Sequence, residues 1–329
     1  MQTVNVVVTV SIDAKIKRLI KNVDPLIKLI DVADLSRADY LGDPIAKEKL
    51  DAILAEAEII YGLSTSSRFL TRAPKLKWVQ SVSAGIDTFL IPEYLNRDII
   101  LTGTSGIHSA AIGEFILTTM LMFAKKAPHC FEMKQRKEWQ EFTPGVLHGK
   151  TVGIIGLGDI GQEVARLSQA FGMKVIAIRR SIRTGHARNV DFLYSSAQLP
   201  RLLSESDFVV LCLPLTPETN KLIGVKELRM MKPTAYIINI SRGPIIDEPA
   251  LIKALEKNKI AGAGLDVFAM EPLPQDSPLW TLPNVIYSPH IAGWMEDYSE
   301  RSAAVFCENL KRYLEGKKMR NVFNKKRGY

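Results

Sequence analysis

The chain has 329 residues, enough for two domains with separate cores, and its 47% hydrophobic and 24% charged content is that of an ordinary α/β protein. The formal net charge of +8 comes from scattered Lys and Arg, the one dense run being Lys317 to Arg327, which reads as a solvated basic tail and excludes a nucleic-acid-binding surface. The apolar stretch from Ala110 to Ala124 is broken by Gly113, Glu114 and two threonines, which excludes a membrane span. MQTVNVVVTV at the start alternates like a strand and lacks the basic head and cleavage site of a secretory leader. Cys130, Cys212 and Cys307 are too widely spaced for a metal knuckle and odd in number, so no metal is expected and the cytoplasm is the expected compartment.

In chain order, residues 4–10, 27–32, 58–62, 76–81 and 98–102 are apolar runs of strand length, with helical spacing over Asp13–Lys21 and Lys47–Ala57. Strands alternating with helices predict a parallel sheet covered on both faces. After the fourth strand comes Ser81–Phe89, in which Ser83, Ala84 and Gly85 form a small-residue turn able to cradle a carboxylate on backbone N–H groups, or simply to connect strand to helix. A second such turn, Gly103 to Gly106, precedes an apolar helix over Ser109 to Lys126, which must be buried between domains or subunits. Residues 127–150 read as a loop with a short helical piece, and Trp139 within it as a packing anchor.

The second α/β unit opens with TVGIIGLGDIGQ, Thr151 to Gln162: a strand, then Gly156-x-Gly158-x-x-Gly161, then a helix over Glu163–Phe171. Gly156 permits the tight turn, Gly158 lets a diphosphate reach the backbone, and Gly161 lets helix and strand pack closely. Gly156, Gly158, Asp159, Ile160 and Gly161 are therefore expected to hold a dinucleotide, although glycine turns also form where packing alone demands them. The next strand, Lys174 to Ile178, ends in Arg179-Arg180-Ser181, with Arg179 following Gly158 by 21 positions. An acidic residue there would bind the ribose hydroxyls of NAD, whereas guanidinium groups suit a 2′-phosphate, so NADP(H) is the expected cofactor and NAD(H) the alternative.

Leu213, Pro214 and Thr219 lie in the turn LPLTPET that closes the following strand, on the expected adenosine side. Strands over 235–240, 262–267 and 284–288 then deliver Ile240 and Arg242, Asp266, and His290 with Gly293 to their C-terminal ends, the edge where open α/β sheets bind ligands. A last helix over Glu296–Glu315 carries Ala303, Ala304, Phe306, Leu310 and Leu314 on one side and should return to the first domain.

Arg242, Glu271 and His290 form a set with chemistry. A carboxylate from Glu271 on one imidazole nitrogen would fix the tautomer of His290 and favour its protonated form, ready to donate to a carbonyl oxygen. Arg242 would hold a substrate carboxylate. Such parts make a reductase of 2-oxo acids.

GLGDIG, NISRG, DVFAMEPLP and SPHIAG in this order, with SVSAGID and the terminal RGY, resemble the D-2-hydroxyacid dehydrogenase family over nearly the whole chain. The resemblance implies two Rossmann-like or flavodoxin-like parallel-sheet domains with a cleft between them: a substrate domain of residues 1–103 and 294–329, interrupted by a dinucleotide-binding domain of 104–293. It further implies Arg242, Glu271 and His290 as catalytic residues, Asp266 near the nicotinamide carboxamide, and substrate binding by Ser83, Ala84, Gly85, Arg242 and His290. A homodimer is implied, with Trp139 as a candidate contributor to the partner's site, and Leu63, Val82 and Trp294 as candidate cleft residues.

Arg179 in place of the acidic residue is similar to the NADP-preferring glyoxylate/hydroxypyruvate reductases, and GIHSAAIGE at 106–114 departs from the commoner asparagine-containing version, leaving His108 to hinge packing. Glu271 stands where formate dehydrogenases of this fold bring glutamine. The alternatives are an NAD-dependent phosphoglycerate dehydrogenase-like enzyme, for which the regulatory extension of longer forms is missing, and a nucleotide-sensing corepressor-type binding protein.

Overall fold

A computed structural model of the chain describes residues 3–62, 67–83, 85, 89, 91–180 and 187–325. The expectations for Leu63, Ala84, Ser181 and the terminal Arg327-Gly328-Tyr329 lie outside these. The chain divides into two compact units, residues 1–107 with 295–329, and 108–294.

The first unit holds a five-stranded sheet of β1 (Val4–Val8), β2 (Ile27–Asp31), β3 (Ile59–Gly62), β4 (Trp78–Ser81) and β5 (Ile100–Thr102). Its order is β2-β1-β3-β4-β5 with every pair parallel. Between the strands run α1 (Ala14–Lys21), α2 (Ala33–Tyr40), α3 (Pro44–Leu54), α4 (Ser67–Arg72) and α5 (Pro92–Leu95). Alternate strand residues face opposite sides: Val7, Ile60, Val79 and Leu101 join one core, and Val6, Val8, Ile59, Tyr61 and Trp78 the other. The expected helix from Lys47 in fact starts at Pro44, because Asp43 accepts the N–H groups of Ile45 at 2.9 Å and Ala46 at 3.2 Å, and proline suits the first helical position.

The second core is closed by the other end of the chain. Helix α12 (Tyr298–Leu314) contributes Ala303, Phe306 and Leu310, while Ala304, expected on the same side, is exposed and Ser302 and Asn309 are buried instead. Phe306 stacks on Tyr61 with ring centroids 4.4 Å apart and tilts against Trp78 at 5.4 Å. Phe306→Leu should lower unfolding free energy by about 1–2 kcal/mol through loss of the ring contacts, read from denaturant titration; an unchanged midpoint would show that the stack contributes nothing. Asn309 is satisfied by Gln80 Oε1 at 3.1 Å and by the backbone of Arg320, and Gln80 in turn accepts from the Thr102 hydroxyl at 2.8 Å.

The second unit holds seven parallel strands in the order β12-β11-β10-β9-β6-β7-β8. They are β6 (Thr151–Ile155), β7 (Lys174–Ile178), β8 (Phe192–Tyr194), β9 (Phe208–Leu211), β10 (Tyr236–Asn239), β11 (Gly262–Leu265) and β12 (Val285–Tyr287), with helices α9 (Leu199–Glu205), α10 (Val225–Met230) and α11 (Glu248–Glu256) between the later strands. Strand order reverses at β6, so the crevice beyond the carboxyl ends of β6 and β9 is the topological switch point. Ile155, Ile176, Val209 and Ile237 pack on one face, and Val152, Ile154, Val175, Val210 and Ile238 on the other.

Helix α6 (Ser109–Ala124) lies on the second face, burying Ile112, Ile116, Met120 and Phe123, and packs against α8 (Asp159–Ala170). The segment after it is more helical than expected, since α7 spans Ala127–Arg136. Trp139 is no packing anchor within the chain: its side chain is 94% exposed. No helix among the described residues is long and apolar enough to cross a membrane.

Candidate functional site

The carboxyl edge of the larger sheet carries most of the expected residues. Strand β6 enters its turn through Gly156, which adopts φ +102°, a region that side chains disfavour, and a Cβ there would lie 2.4 Å from the Cys212 carbonyl oxygen. Helix α8 begins at Asp159, four residues earlier than expected, with Gly158 as its N-cap. The expected start at Glu163 treated Gly161 as part of the turn. It lies inside the first helical turn, where a Cβ would come within 2.2 Å of the Gly156 carbonyl oxygen. Gly158 borders open space and no side chain caps the helix, an arrangement chemically able to take an anion on the N–H groups of the first turn. Ile160 is half-buried against the core.

Arg179 and Arg180 follow β7 and are both exposed. Across the glycine turn, the 213–219 loop leaves β9, anchored by the Leu213 N–H donating to Ser241 Oγ at 3.2 Å. Pro214 and Thr219 are tied to each other: the Thr219 hydroxyl donates to the Pro214 carbonyl at 2.7 Å and accepts from the Thr216 N–H at 2.7 Å, so this side chain shapes the loop. The Thr216 hydroxyl bonds the Glu218 carboxylate at 2.7 Å. That bond, the backbone N–H of Glu218 and the charge of Arg180 together hold the carboxyl below its ordinary range.

Strands β10, β11 and β12 lie side by side and bring Arg242, Asp266, Glu271 and His290 to the same edge. His290 Nδ1 and Glu271 Oε2 are 2.7 Å apart, and Glu271 is itself steadied by the Phe268 N–H on Oε1 at 3.0 Å. The imidazole is 48% exposed and the carboxylate 37%. Arg242 donates from Nη1 to the Ser241 carbonyl at 2.7 Å, while its own carbonyl accepts from Asn239 Nδ2 at 3.0 Å. The residue after it must be glycine, because a Cβ on Gly243 would lie 1.9 Å from the Phe268 carbonyl carbon and oxygen. This close approach sets the Arg242 turn against the turn that bears Glu271.

Asp266 is 2% exposed and faces inward. Its carboxylate accepts from Ser288 Oγ at 2.5 Å, the Ile291 N–H at 2.8 Å and the Ala292 N–H at 3.1 Å, and its carbonyl takes the His290 N–H at 2.9 Å. It thus clamps the loop on both sides of His290, whose backbone sits at φ +56°, a conformation uncommon outside glycine. Ile240 is buried in the core, and Gly293 packs beside the His108 ring, where a Cβ would be 3.1 Å from Cδ2. Burial pushes the His108 imidazole pKa down, as befits a packed neutral ring.

Ser83 and Gly85 belong to the other unit. The Ser83 N–H donates to Ser81 Oγ at 3.0 Å and the Gly85 N–H to Ser83 Oγ at 3.2 Å, so both donors rest on hydroxyls of the same turn. Val82 is buried beneath it. Trp294 closes the other unit with its side chain 74% exposed.

Residues 117–292 match the sequence model described as D-isomer specific 2-hydroxyacid dehydrogenase, NAD binding domain. Glyoxylate/hydroxypyruvate reductase B of Pectobacterium carotovorum is 38% identical over 82% of this chain and 87% of its own length. The chain belongs to the D-2-hydroxyacid dehydrogenase family. Among solved structures, a D-isomer specific 2-hydroxyacid dehydrogenase from Xanthobacter autotrophicus in complex with NADPH and MES superposes with a TM-score of 0.84 at 29% identity, covering all of both chains. An NADPH-dependent glyoxylate/hydroxypyruvate reductase from Sinorhizobium meliloti, in complex with NADP and sulfate, gives 0.84 at 27% identity over 99% of this chain and 100% of that one.

This D-2-hydroxyacid dehydrogenase is accordingly an oxidoreductase with a nicotinamide-dinucleotide-binding domain. Sequence reasoning missed Ser241 and Ser288, whose hydroxyls fasten the loops bearing Arg242 and His290, and Glu248, which accepts the Ala269 N–H at 2.8 Å. A small hydroxyl residue directly after a strand, one or two positions from a charged group, was the available signal.

Proposed function

We propose that this dehydrogenase reduces a small 2-oxo acid of the glyoxylate or hydroxypyruvate kind to the D-2-hydroxy acid, with NADPH preferred to NADH. The observation that carries the reading is the 2.7 Å contact between His290 and Glu271 at the sheet edge where the glycine turn opens. With Nδ1 engaged by the carboxylate, Nε2 is the nitrogen left to deliver a proton to the substrate oxygen. In the second unit Arg242 is assigned to the substrate carboxylate and polarises the adjacent carbonyl. In the first unit the N–H groups of Ser83 and Gly85 are assigned to carboxylate binding.

The residues present fit a dinucleotide: the space beside Gly158 and the uncapped start of α8 suit a diphosphate, and Arg179 with Arg180 suit a 2′-phosphate. When bound, the nicotinamide supplies the hydride. With the expected boundaries at 103/104 and 293/294 moved to those of the two compact units, residues 108–294 are assigned to the dinucleotide and residues 1–107 with 295–329 to the substrate. Unpaired Cys130, Cys212 and Cys307 suit the cytoplasm. The exposed side chains of Phe131, Trp139 and Val146 favour a homodimer in which this segment meets a second copy.

Absorbance at the reduced-nicotinamide band tests the reading directly. NADPH should be oxidised with glyoxylate and hydroxypyruvate, at a kcat/KM well above that with NADH. Turnover confined to NADH and 3-phosphohydroxypyruvate would replace the proposal with a phosphoglycerate dehydrogenase, and NADPH binding without turnover of any 2-oxo acid would turn it into a nucleotide sensor.

A further inference from the structure

The Ser83–Gly85 turn is held from behind by a residue from the far end of the chain. The carbonyl of Val82 accepts two hydroxyls, Tyr298 Oη at 2.6 Å and Thr104 Oγ1 at 2.9 Å. The Thr104 N–H also reaches the Ser83 carbonyl at 3.3 Å. Thr104 is fully buried, and Tyr298 is the first residue of α12. Burial pushes the phenol pKa up, so it stays protonated and donates.

A peptide bond is planar, and the carbonyl of one residue points opposite to the N–H of the next. Fixing the Val82 oxygen therefore fixes the direction of the Ser83 N–H, at the start of the turn. Val82 is held from its other side as well, where its N–H donates to the Gly62 carbonyl at 3.0 Å. The Ser83 and Gly85 N–H groups rest on the hydroxyls of Ser81 and Ser83, small rotors that a carboxylate can displace or bridge. What must not rotate is the peptide plane itself, and the two hydroxyls on the Val82 carbonyl lock it.

We infer that Tyr298 is a positioning residue for the substrate carboxylate, acting through the Val82 carbonyl to aim the Ser83 N–H. The inference rests on the reading that this turn binds the carboxylate. Tyr298 touches neither substrate nor cofactor in this role, so its effect falls on substrate affinity and not on proton or hydride transfer.

Tyr298→Phe keeps the ring and removes only the donor. It should raise KM for glyoxylate about three- to tenfold, the range of one neutral hydrogen bond, with kcat and KM for NADPH within about twofold of wild type by the same scale. The comparison substrate is methyl glyoxylate, in which the carboxylate is masked as a neutral ester. A rise in KM for the acid with little change for the ester is the expected result. Unchanged KM for both, together with a lower melting temperature, would make Tyr298 a stitch between chain ends and overturn the inference. An equal rise for both would overturn instead the assignment of the turn to the carboxylate, and the positioning role with it.

Discussion

His290→Ala is expected to lower kcat for every 2-oxo acid tried by about 10²- to 10⁴-fold, the usual contribution of a positioned general acid. NADPH binding should stay near wild type. The magnitude follows from the proposed role and the arrangement: Glu271 holds Nδ1 at 2.7 Å, which fixes the imidazole in one orientation with Nε2 as the nitrogen for the proton, and no other titratable side chain among the described residues bonds to it. Alanine enters the left-handed region at φ +56° less readily than histidine, so a sharper control is His290→Asn, because asparagine adopts that backbone with less strain. Both variants should lose turnover alike. Steady-state rates over the substrate panel, beside a fluorescence titration of NADPH, decide the point, and wild-type turnover in either variant would remove His290 from the chemistry.

The second large effect concerns the choice of dinucleotide. Arg179→Ala combined with Arg180→Ala should weaken NADPH binding by about 10- to 100-fold, the range for losing charge-assisted hydrogen bonds to a phosphate. NADH should change little, because it carries no 2′-phosphate for these groups to hold. Both arginines are exposed, so the difference should shrink as salt rises. The carboxylate of Glu218 already lies within the field of Arg180, and a 2′-phosphate would have to enter the same neighbourhood. Dissociation constants for the two nucleotides, at low and high salt, give the test; equal weakening of both would show that the pair does not read the phosphate.

The candidate positions were legible because they stand at the carboxyl edge of a parallel sheet, where open α/β sheets bind ligands. A diphosphate needs bare backbone at the start of a helix, and Gly156, Gly158 and Gly161 stand where β6 ends and α8 begins. Arg242, Asp266 and His290 follow strands whose apolar runs are plain in the sequence.

What escaped is set by contacts between distant segments. The helices over Ala33–Tyr40, Val225–Met230 and Glu248–Glu256 are short, and packing on the sheets stabilises them more than their own propensity does. The close approach at Gly161 was expected, but glycine is poor in helices, which hid that the helix already begins at Asp159. The inward role of Asp266, toward Ser288, Ile291 and Ala292, depends on which way a side chain turns at a strand end, and period and composition carry no trace of that. The anchoring of Val82 by Tyr298 joins positions 216 apart.

The unit built from both chain ends has a consequence for biosynthesis. A ribosome releases β1 to β5 early, yet the face of that sheet bearing Tyr61 and Trp78 waits for Phe306 and Leu310, which emerge only after all of 108–294. The inserted unit is contiguous and can fold as it emerges, while the first remains half-covered, with apolar surface open to solvent and to chaperones, until the last helix docks. Closing that long loop in sequence is entropically costly and slow relative to local pairing. The late arrival of α12 therefore marks the newborn chain's most aggregation-exposed interval, and truncation within 298–314 should strand it there.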